Sequence, residues 1–469
     1  MFHEGYSINK NHQLMHTREN FGSKVGAVLA AAGSAVGLGN IWRFPIETGR
    51  NGGAAFILIY IVCIIVMGLP VMISEFMIGR HTQANTARAY QKLAPGTPWK
   101  WVGRLGVFTG FFILCYYCVV AGWTVEYAML ALTNQFDGKT PDDFPVIFAE
   151  FSANPWMPII WLVFFILLTH FVIVRGVTKG IERWSKVLMP MLFLLVILLV
   201  ICSATLPNSS EGIRFLLQPD FSKVTGKTVL SAMGQAFYSL SLGMGCLCTY
   251  ASYFDRKTNI TKTAINVSAI DTLIALMAGF IIFPAAAASG YELSGGDVGP
   301  SLLFITLPNV FQQAFVGLPV LTYVVSLLFY LLVILAALTS TISLHEVVTS
   351  YMSEEFSISR RKAAAAETVT CIVLGCLCSL SFGPLNHVRL FGMTIFDLFD
   401  WTASNICLPI GGLFICLFTG WYLDRQLFRD ELTNGGHARA PYFKVLVFIL
   451  RYITPLAIFA VLLNQFGLF

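Results

Sequence analysis

Charge is scarce in this sequence. Of its 469 residues only 12% are Asp, Glu, Lys or Arg, whereas 56% are hydrophobic. Soluble domains carry roughly 25% charged residues, so this chain is not built to face water on all sides. Long apolar runs recur along it and make it an all-α membrane protein in the lipid bilayer. The net charge of +5 is no argument for nucleic acid; its distribution sets orientation instead. A cleavable leader is not expected, because residues 1–23 are polar and the first apolar run is too long for a signal peptide. The eight histidines are scattered, and His170, His345 and His387 have no evident partners. No nucleophile–base or metal constellation is visible, so the chain is not expected to be an enzyme. The 11 cysteines lie mostly within apolar runs. Cys115/Cys118, Cys246/Cys248 and Cys376/Cys378 read as small core residues rather than redox or metal pairs.

Eleven transmembrane helices are expected, over 24–49, 54–79, 105–134, 157–175, 184–204, 229–254, 261–290, 317–352, 363–383, 395–422 and 442–466. The loop after the second span carries Arg80, Arg88, Lys92, Lys100 and Arg104 with no acid. The loop after the fourth carries Arg175, Lys179, Arg183 and Lys186 against Glu182. The loop after the third is acidic, with Asp137, Asp142, Asp143 and Glu150 against Lys139. The positive-inside rule then puts the N-terminus in the cytoplasm and, with an odd span count, the C-terminus outside. The organisation expected is a cytoplasmic segment 1–23, a first five-helix repeat 24–204, and an extracellular loop 205–228. A second five-helix repeat of inverted topology, 229–422, and a cytoplasmic loop with the last span, 423–469, complete it.

The stretch 30–51, AAAGSAVGLGNIWRFPIETGRN, sits in the first span but suits one continuous helix badly. Gly33, Gly37 and Gly39 fall within seven residues, each costing a helix about 1 kcal/mol relative to alanine. Packing glycines are one reading. The other is two half-helices joined by an unwound piece near Ser34–Leu38, which offers amides to a carboxylate and carbonyls to a small hard cation. Span six favours the second reading: it carries a breaker of its own, Ser239-Leu-Ser-Leu-Gly-Met-Gly245, at the corresponding place. In span eight, Thr339 and Ser340 are adjacent hydroxyls; they either bond back to their own helix or complete an oxygen cage. Asp271 in span seven is a carboxylate inside the membrane, a functional candidate with Na⁺ as its proposed partner. Arg43 is deep enough to need a counter-charge, and Asp400 and Asp397, one turn apart, compete for that role.

GSAVGLGNIWRFP, NGGAAF, SLSLGMGCLCTYASY, ALTSTISL and RYITP together resemble the neurotransmitter:sodium symporters, most closely the bacterial amino-acid-transporting members. The resemblance covers nearly the whole chain. It implies the leucine-transporter fold, with two inverted repeats whose first and sixth helices are unwound, and Na⁺-coupled import of an L-amino acid by alternating access. It implies one Na⁺ site at Ala35, Asn40, Ser239 and Asp271, and a second at Gly33, Val36, Ala336, Thr339 and Ser340. The substrate carboxylate would meet Gly39 and Tyr117, and the amine carbonyls near Ala35, Tyr238 and Ser241. Ile113, Tyr238, Met244 and Leu344 would line the side-chain pocket, with Ser239 and Ser340 at its edge. Arg43 and Asp400 match the outer gate; Arg18, Tyr253 and Glu354 match the inner one.

Four departures from the family matter. Asp271 stands where many members have Asn, and Ala275 where chloride-dependent members have Ser, so no chloride requirement is expected, although Tyr60, Gln235 and Ser239 match other chloride positions. Met244 replaces a commoner Phe, which suits a broad apolar pocket. Tyr238 adds a hydroxyl. Many relatives have twelve spans, so their dimer contacts do not carry over. The substrate expected is a zwitterionic, hydrophobic or aromatic L-amino acid, in a bacterial inner membrane. A sensor or channel on the same scaffold is the second reading, although a channel would want charge or carbonyls along its whole length.

Overall fold

The computed structural model describes residues 19–290 and 301–466. These residues form helices and no strand. The helices that position the site are α1 (Lys24–Ala35), α2 (Gly39–Arg50), α3 (Ala54–Thr82), α4 (Lys100–Leu132), α5 (Met157–Ile173), α6 (Val177–Ala204), α7 (Gly226–Ser239) and α8 (Cys246–Ala251). They continue with α9 (Ile260–Ser289), α10 (Pro319–Glu355), α11 (Arg360–Leu380), α12 (Ile395–Tyr422), α13 (Arg425–Thr433) and α14 (Phe443–Gln465). Among the described residues, eight of the helices are long and apolar enough to cross a bilayer unbroken.

Two further pairs qualify only as bent units: α1 with α2, at 54°, and Asp143–Ala153 with α5, at 73°. α7 and α8 are separated by residues 240–245. Every span expected from the sequence has a helix or a broken helix over its residues. The short helices Thr86–Leu93, Asp143–Ala153, Ser209–Leu217, Leu307–Ala314 and Arg425–Thr433 lie on stretches read as loops. Their apolar stripes are too short to resemble a span.

Capping residues start the helices where the sequence allows. Ser23 accepts the amide of Gly26 at the start of α1, and Asn259 that of Lys262 at the start of α9. Thr394 and Asp397 form a reciprocal capping box on α12, satisfying two otherwise orphaned amides. Prolines fall inside the spans without ending them. A widened π turn finishes two residues before each of Pro45, Pro70, Pro308, Pro409 and Pro455. Proline lacks an amide hydrogen and crowds the carbonyl four residues back; the wider turn absorbs both effects.

The outer surface is apolar. On α6, Val187, Met191, Leu194, Leu198 and Ile201 are exposed, while Leu188, Leu192, Val196 and Leu199 are buried. That helical spacing marks one face against neighbouring helices and one against lipid. On the opposite, polar margin, α13 docks onto the end of α3. Glu431 accepts from Arg80 Nη2 at 2.5 Å and lies 2.9 Å from His81 Nδ1. Arg80 is itself buried and also reaches Asn434 at 2.7 Å. Burial alone would raise the Glu431 carboxyl; its bonds to His81 and Arg80 hold it below the usual carboxylate value.

Candidate functional site at the helix breaks

α1 ends because Val36 leaves the helical region, with ψ 113°. The chain resumes at Leu38 and enters α2. The unwound piece is therefore Val36–Leu38, shorter than the Ser34–Leu38 expected. Its amides and carbonyls turn to side chains: Gly37 N–H donates to Asn40 Oδ1 at 2.9 Å, and Leu38 N–H to the Tyr117 hydroxyl at 3.0 Å. The second break, 240–245, needs three residues at positive φ: Ser241 (54°), Gly243 (82°) and Gly245 (77°). Ser241 adopts this strained conformation while its hydroxyl donates to the carbonyl of Ser34 at 3.0 Å. The two breaks are thus tied to each other.

Oxygens gather in two places. In the first, Asn40, Ser239 and Asp271 are all buried. The Asn40 amide donates to Asp271 Oδ1 at 2.7 Å, and lies 3.2 Å from both the Asp271 carbonyl and Ser239 Oγ. Ser239 in turn donates to Asp271 Oδ2 at 2.8 Å. Asp271 is three turns inside α9 and has no exposed surface. Beside it, the Tyr60 hydroxyl and both polar atoms of the Gln235 side chain are buried without a partner among the described residues. In the second place, Thr339 Oγ1 lies 3.3 Å from the Val36 carbonyl and 3.0 Å from that of Ala336, and Ser340 Oγ lies 3.2 Å from Val36. Gly33 packs so tightly that a Cβ would stand 3.3 Å from the Thr339 Cβ. Neutral carbonyl and hydroxyl oxygens in such a cluster suit a hard monovalent cation.

Between the two clusters lies a cavity. Ala35, Gly39, Ile113, Tyr117, Tyr238, Ser239, Ser241, Met244, Ser340 and Leu344 all line it. Ser34, Gly37, Leu38 and Cys246 line it as well and were not foreseen; they lie in or directly beside the breaks, so the breaker motifs were the available signal. A Cβ on Gly39 would stand 2.8 Å from the Tyr238 ring, so only glycine fits there.

The two outer-gate residues do not pair directly. No ion pair under 4 Å joins Arg43 to Asp400 among the described residues. The Arg43 guanidinium instead sits over the Tyr238 ring, 4.4 Å from its centroid, near enough for Asp400 to feel its charge. Asp400 accepts from Ser404 at 3.0 Å. Asp397 is used by the helix cap. At the other end, Tyr253 donates to Glu346 at 2.5 Å, and Glu354 accepts both the backbone and side-chain amides of Asn85 at 2.9 Å. Arg18 lies outside the described residues.

Sequence reasoning missed Glu75, which is buried and accepts the amide of Gly243 at 2.7 Å, anchoring the second break to α3. It also missed Glu346, which pairs with Arg360. Both are carboxylates inside apolar spans, the same signal that pointed to Asp271. His170 and His345, read as unpartnered, share a hydrogen-bonded network with Thr368, and His345 lies 3.0 Å from Glu367.

Known proteins share the sequence and fold of this chain. Residues 18–142 and 154–468 match the sodium:neurotransmitter symporter family. A sodium-dependent transporter of Bacillus subtilis, YhdH, is 40% identical over 447 residues, 95% of this chain and 97% of its own length. One from Haemophilus influenzae is 32% identical over 459 residues, 96% of this chain and 98% of its own length. The solved structure of MhsT in complex with L-phenylalanine superposes with a TM-score of 0.85 at 42% identity, covering 96% of this chain and all of MhsT. Matches of this extent to both sequence and fold mean that the chain belongs to the sodium:neurotransmitter symporter family and is a sodium-dependent membrane transporter, not an enzyme.

Proposed function

We propose that the protein imports a zwitterionic L-amino acid with a hydrophobic or aromatic side chain, driven by Na⁺ and without a chloride requirement. The observation that carries this reading is the cavity at the two breaks. Its lining offers backbone and hydroxyl groups together with the apolar side chains of Ile113, Met244 and Leu344. A zwitterion with an apolar tail is the complement of such a surface. The L-phenylalanine held by MhsT supports an aromatic occupant.

In this reading Na⁺ is a co-substrate at two sites. The first uses Ala35, Asn40, Ser239, Asp271 and the substrate carboxylate. The Asn40 amide hydrogens hold the cation's place against Asp271 and would swing aside for it. The second uses Gly33, Val36, Ala336, Thr339 and Ser340, so sodium there clamps α1 to α10. Its loss to the cytoplasm would favour inward opening, because a ligand shifts a conformational equilibrium only through differential affinity. Asp271 supplies the fixed negative charge that chloride gives to other members, with Ala275 unable to help hold an anion. The moving bundle would be α1–α3 with α7–α9. Eleven spans arranged as two inverted five-helix repeats, divided at 204 and 229, with a cytoplasmic N-terminus and an external C-terminus in a bacterial inner membrane, complete the proposal.

Uptake into proteoliposomes tests it, with an inward Na⁺ gradient or K⁺ in its place, with chloride or gluconate. The expected result is Na⁺-driven accumulation of L-phenylalanine or another apolar amino acid, equal in the two anions. Accumulation that needs chloride would remove the charge-substitution argument. Folded protein that accumulates no amino acid would remove the substrate class.

A further inference from the structure

Behind the cavity, the back face of α10 carries a second buried polar cluster that transport of Na⁺ and an amino acid does not use. His345 has no exposed surface, and Glu367 and Thr368 on α11 are buried. His345 Nδ1 lies 3.0 Å from Glu367 Oε2 and 2.9 Å from Thr349 Oγ1. Thr349 donates to the same carboxylate oxygen at 2.8 Å. On the other edge of the ring, His345 Nε2 lies 2.9 Å from Thr368 Oγ1, which is also 2.9 Å from His170 Nδ1 on α5. His170 is only partly buried and sits in the last turn of α5, beside the basic loop that carries Arg175. Facing the cluster are the Glu346–Arg360 pair, which joins α10 to α11, and the thiols of Cys115 on α4 and Cys371 on α11.

Ionisable groups at this depth are expensive, and a polar clamp between helices would need only the threonines. Three titratable groups in line are more than packing requires. Glu367 Oε1 meets no donor among the described residues, so an ionised Glu367 is poorly satisfied there, and a protonated His345 beside Oε2 would balance its charge. Thr368 has one hydroxyl hydrogen between two imidazole nitrogens, so it can donate to only one. If it donates to His345 Nε2, its oxygen accepts from His170 Nδ1–H. If His345 is doubly protonated, Nε2–H donates to Thr368, whose hydroxyl then turns to His170. A proton passes when Thr368 gives its hydroxyl hydrogen to His345 Nε2 and takes the Nδ1 hydrogen of His170, which leaves His345 charged and His170 one proton poorer with no heavy atom displaced.

The geometry points to a proton-binding site at His345 and Glu367, filled through Thr368 and His170 from the side of the basic loop, and coupled through α10 to the occupancy of the central cavity. The ligand is a proton. Coupling is short-range, because Leu344 lines the cavity and His345 is the next residue. The coupling half rests on the proposed amino-acid uptake; the proton site itself does not.

Histidine-¹⁵N-labelled full-length protein in liposomes tests both halves by solid-state NMR, from about pH 5 to about pH 9. The ring signals are assigned with His345→Gln and His170→Gln. The expected result is that His345 passes from cation to neutral ring within that range. Its midpoint should move by roughly one pH unit, a tenfold change in proton affinity, when NaCl and L-phenylalanine are added. A His345 ring in one charge state throughout would overturn the proton site. A midpoint indifferent to both additions, in a sample that calorimetry shows has bound them, would overturn the coupling. If calorimetry shows no binding of L-phenylalanine, the substrate reading fails, and the ligand-free titration still decides the proton site. As a second readout, Glu367→Gln should flatten the pH profile of Na⁺-driven uptake. A profile superimposable on the parent's would also count against the coupling.

Discussion

Arg43 rests on Tyr238, its guanidinium 4.4 Å from the ring centroid, and no ion pair reaches from it to Asp400. Tyr238 is thus wall and ceiling together: one part lines the cavity and its face carries the charge above it. A cation on an aromatic face is worth about 0.5–2 kcal/mol, rising as water is excluded, and both residues here are partly buried.

Removing the ring should therefore do more than enlarge the pocket. Tyr238→Leu is expected to raise the KM for uptake more than about tenfold, whereas Tyr238→Phe, which keeps the ring face, should stay within about threefold. Equal KM values for the two variants would show that the ring face does not matter.

The paired hydroxyls on α10 make a separate case. Thr339→Ala and Ser340→Ala each remove one oxygen from a cluster suited to a cation, an interaction worth about 1.5–3 kcal/mol when a charge is involved. The Na⁺ concentration for half-maximal uptake should rise by roughly tenfold or more in each. Substrate KM measured at saturating Na⁺ should change little in Thr339→Ala, which does not line the cavity. An unchanged Na⁺ curve for both variants would mean that these hydroxyls only bond back to Val36 and Ala336.

Gly39→Ala tests the close approach at the first break. The new methyl would meet the Tyr238 ring at 2.8 Å, so the ring must move into the cavity. L-Phenylalanine binding should be lost, while the thermal midpoint of the ligand-free protein should hold, because α1 and α2 keep their own caps and packing. Binding at the parental level would show that the ring yields without closing the site.

The dock of α13 on α3 is pH-dependent. Glu431 has a lowered carboxyl pKa in the folded protein, so its contribution is complete above the unfolded value and disappears as pH falls through the folded one. Amide hydrogen exchange over 425–433 should accelerate at acidic pH, and at neutral pH in Glu431→Gln. Slow exchange in that variant would assign the docking to Phe428 and Leu432, which are buried beneath it.

Much of this was legible in the chain because the bilayer simplifies the code. Apolar length gave the spans, and glycine clusters where a helix should continue gave both breaks. Around the cavity, Ala35, Gly39, Ser239, Ser241, Met244, Ser340 and Leu344 fall in the motifs that resemble the family. What could not be read was which polar group faces which. Asp400 and Asp397 are one turn apart, and their roles were separated only once Thr394 claimed Asp397 for a cap. That Tyr253 reaches Glu346 was not legible either, because sequence does not say which turn of α10 meets α8. His170, His345 and Glu367 come from three helices far apart in sequence, so their meeting is a property of packing.

α10 carries its contacts on several sides. Its 37 residues extend about 55 Å, with Ala336, Thr339 and Ser340 near α1, Leu344 at the cavity, and His345 and Thr349 toward α5 and α11. Successive residues on a helix are about 100° apart. One residue gained or lost within 336–349 would rotate everything beyond it out of phase, turning a pocket wall toward its neighbours and an imidazole toward the cavity. This stretch therefore behaves like a keyed shaft, and relatives that share the fold should differ along it by substitution while its length stays fixed.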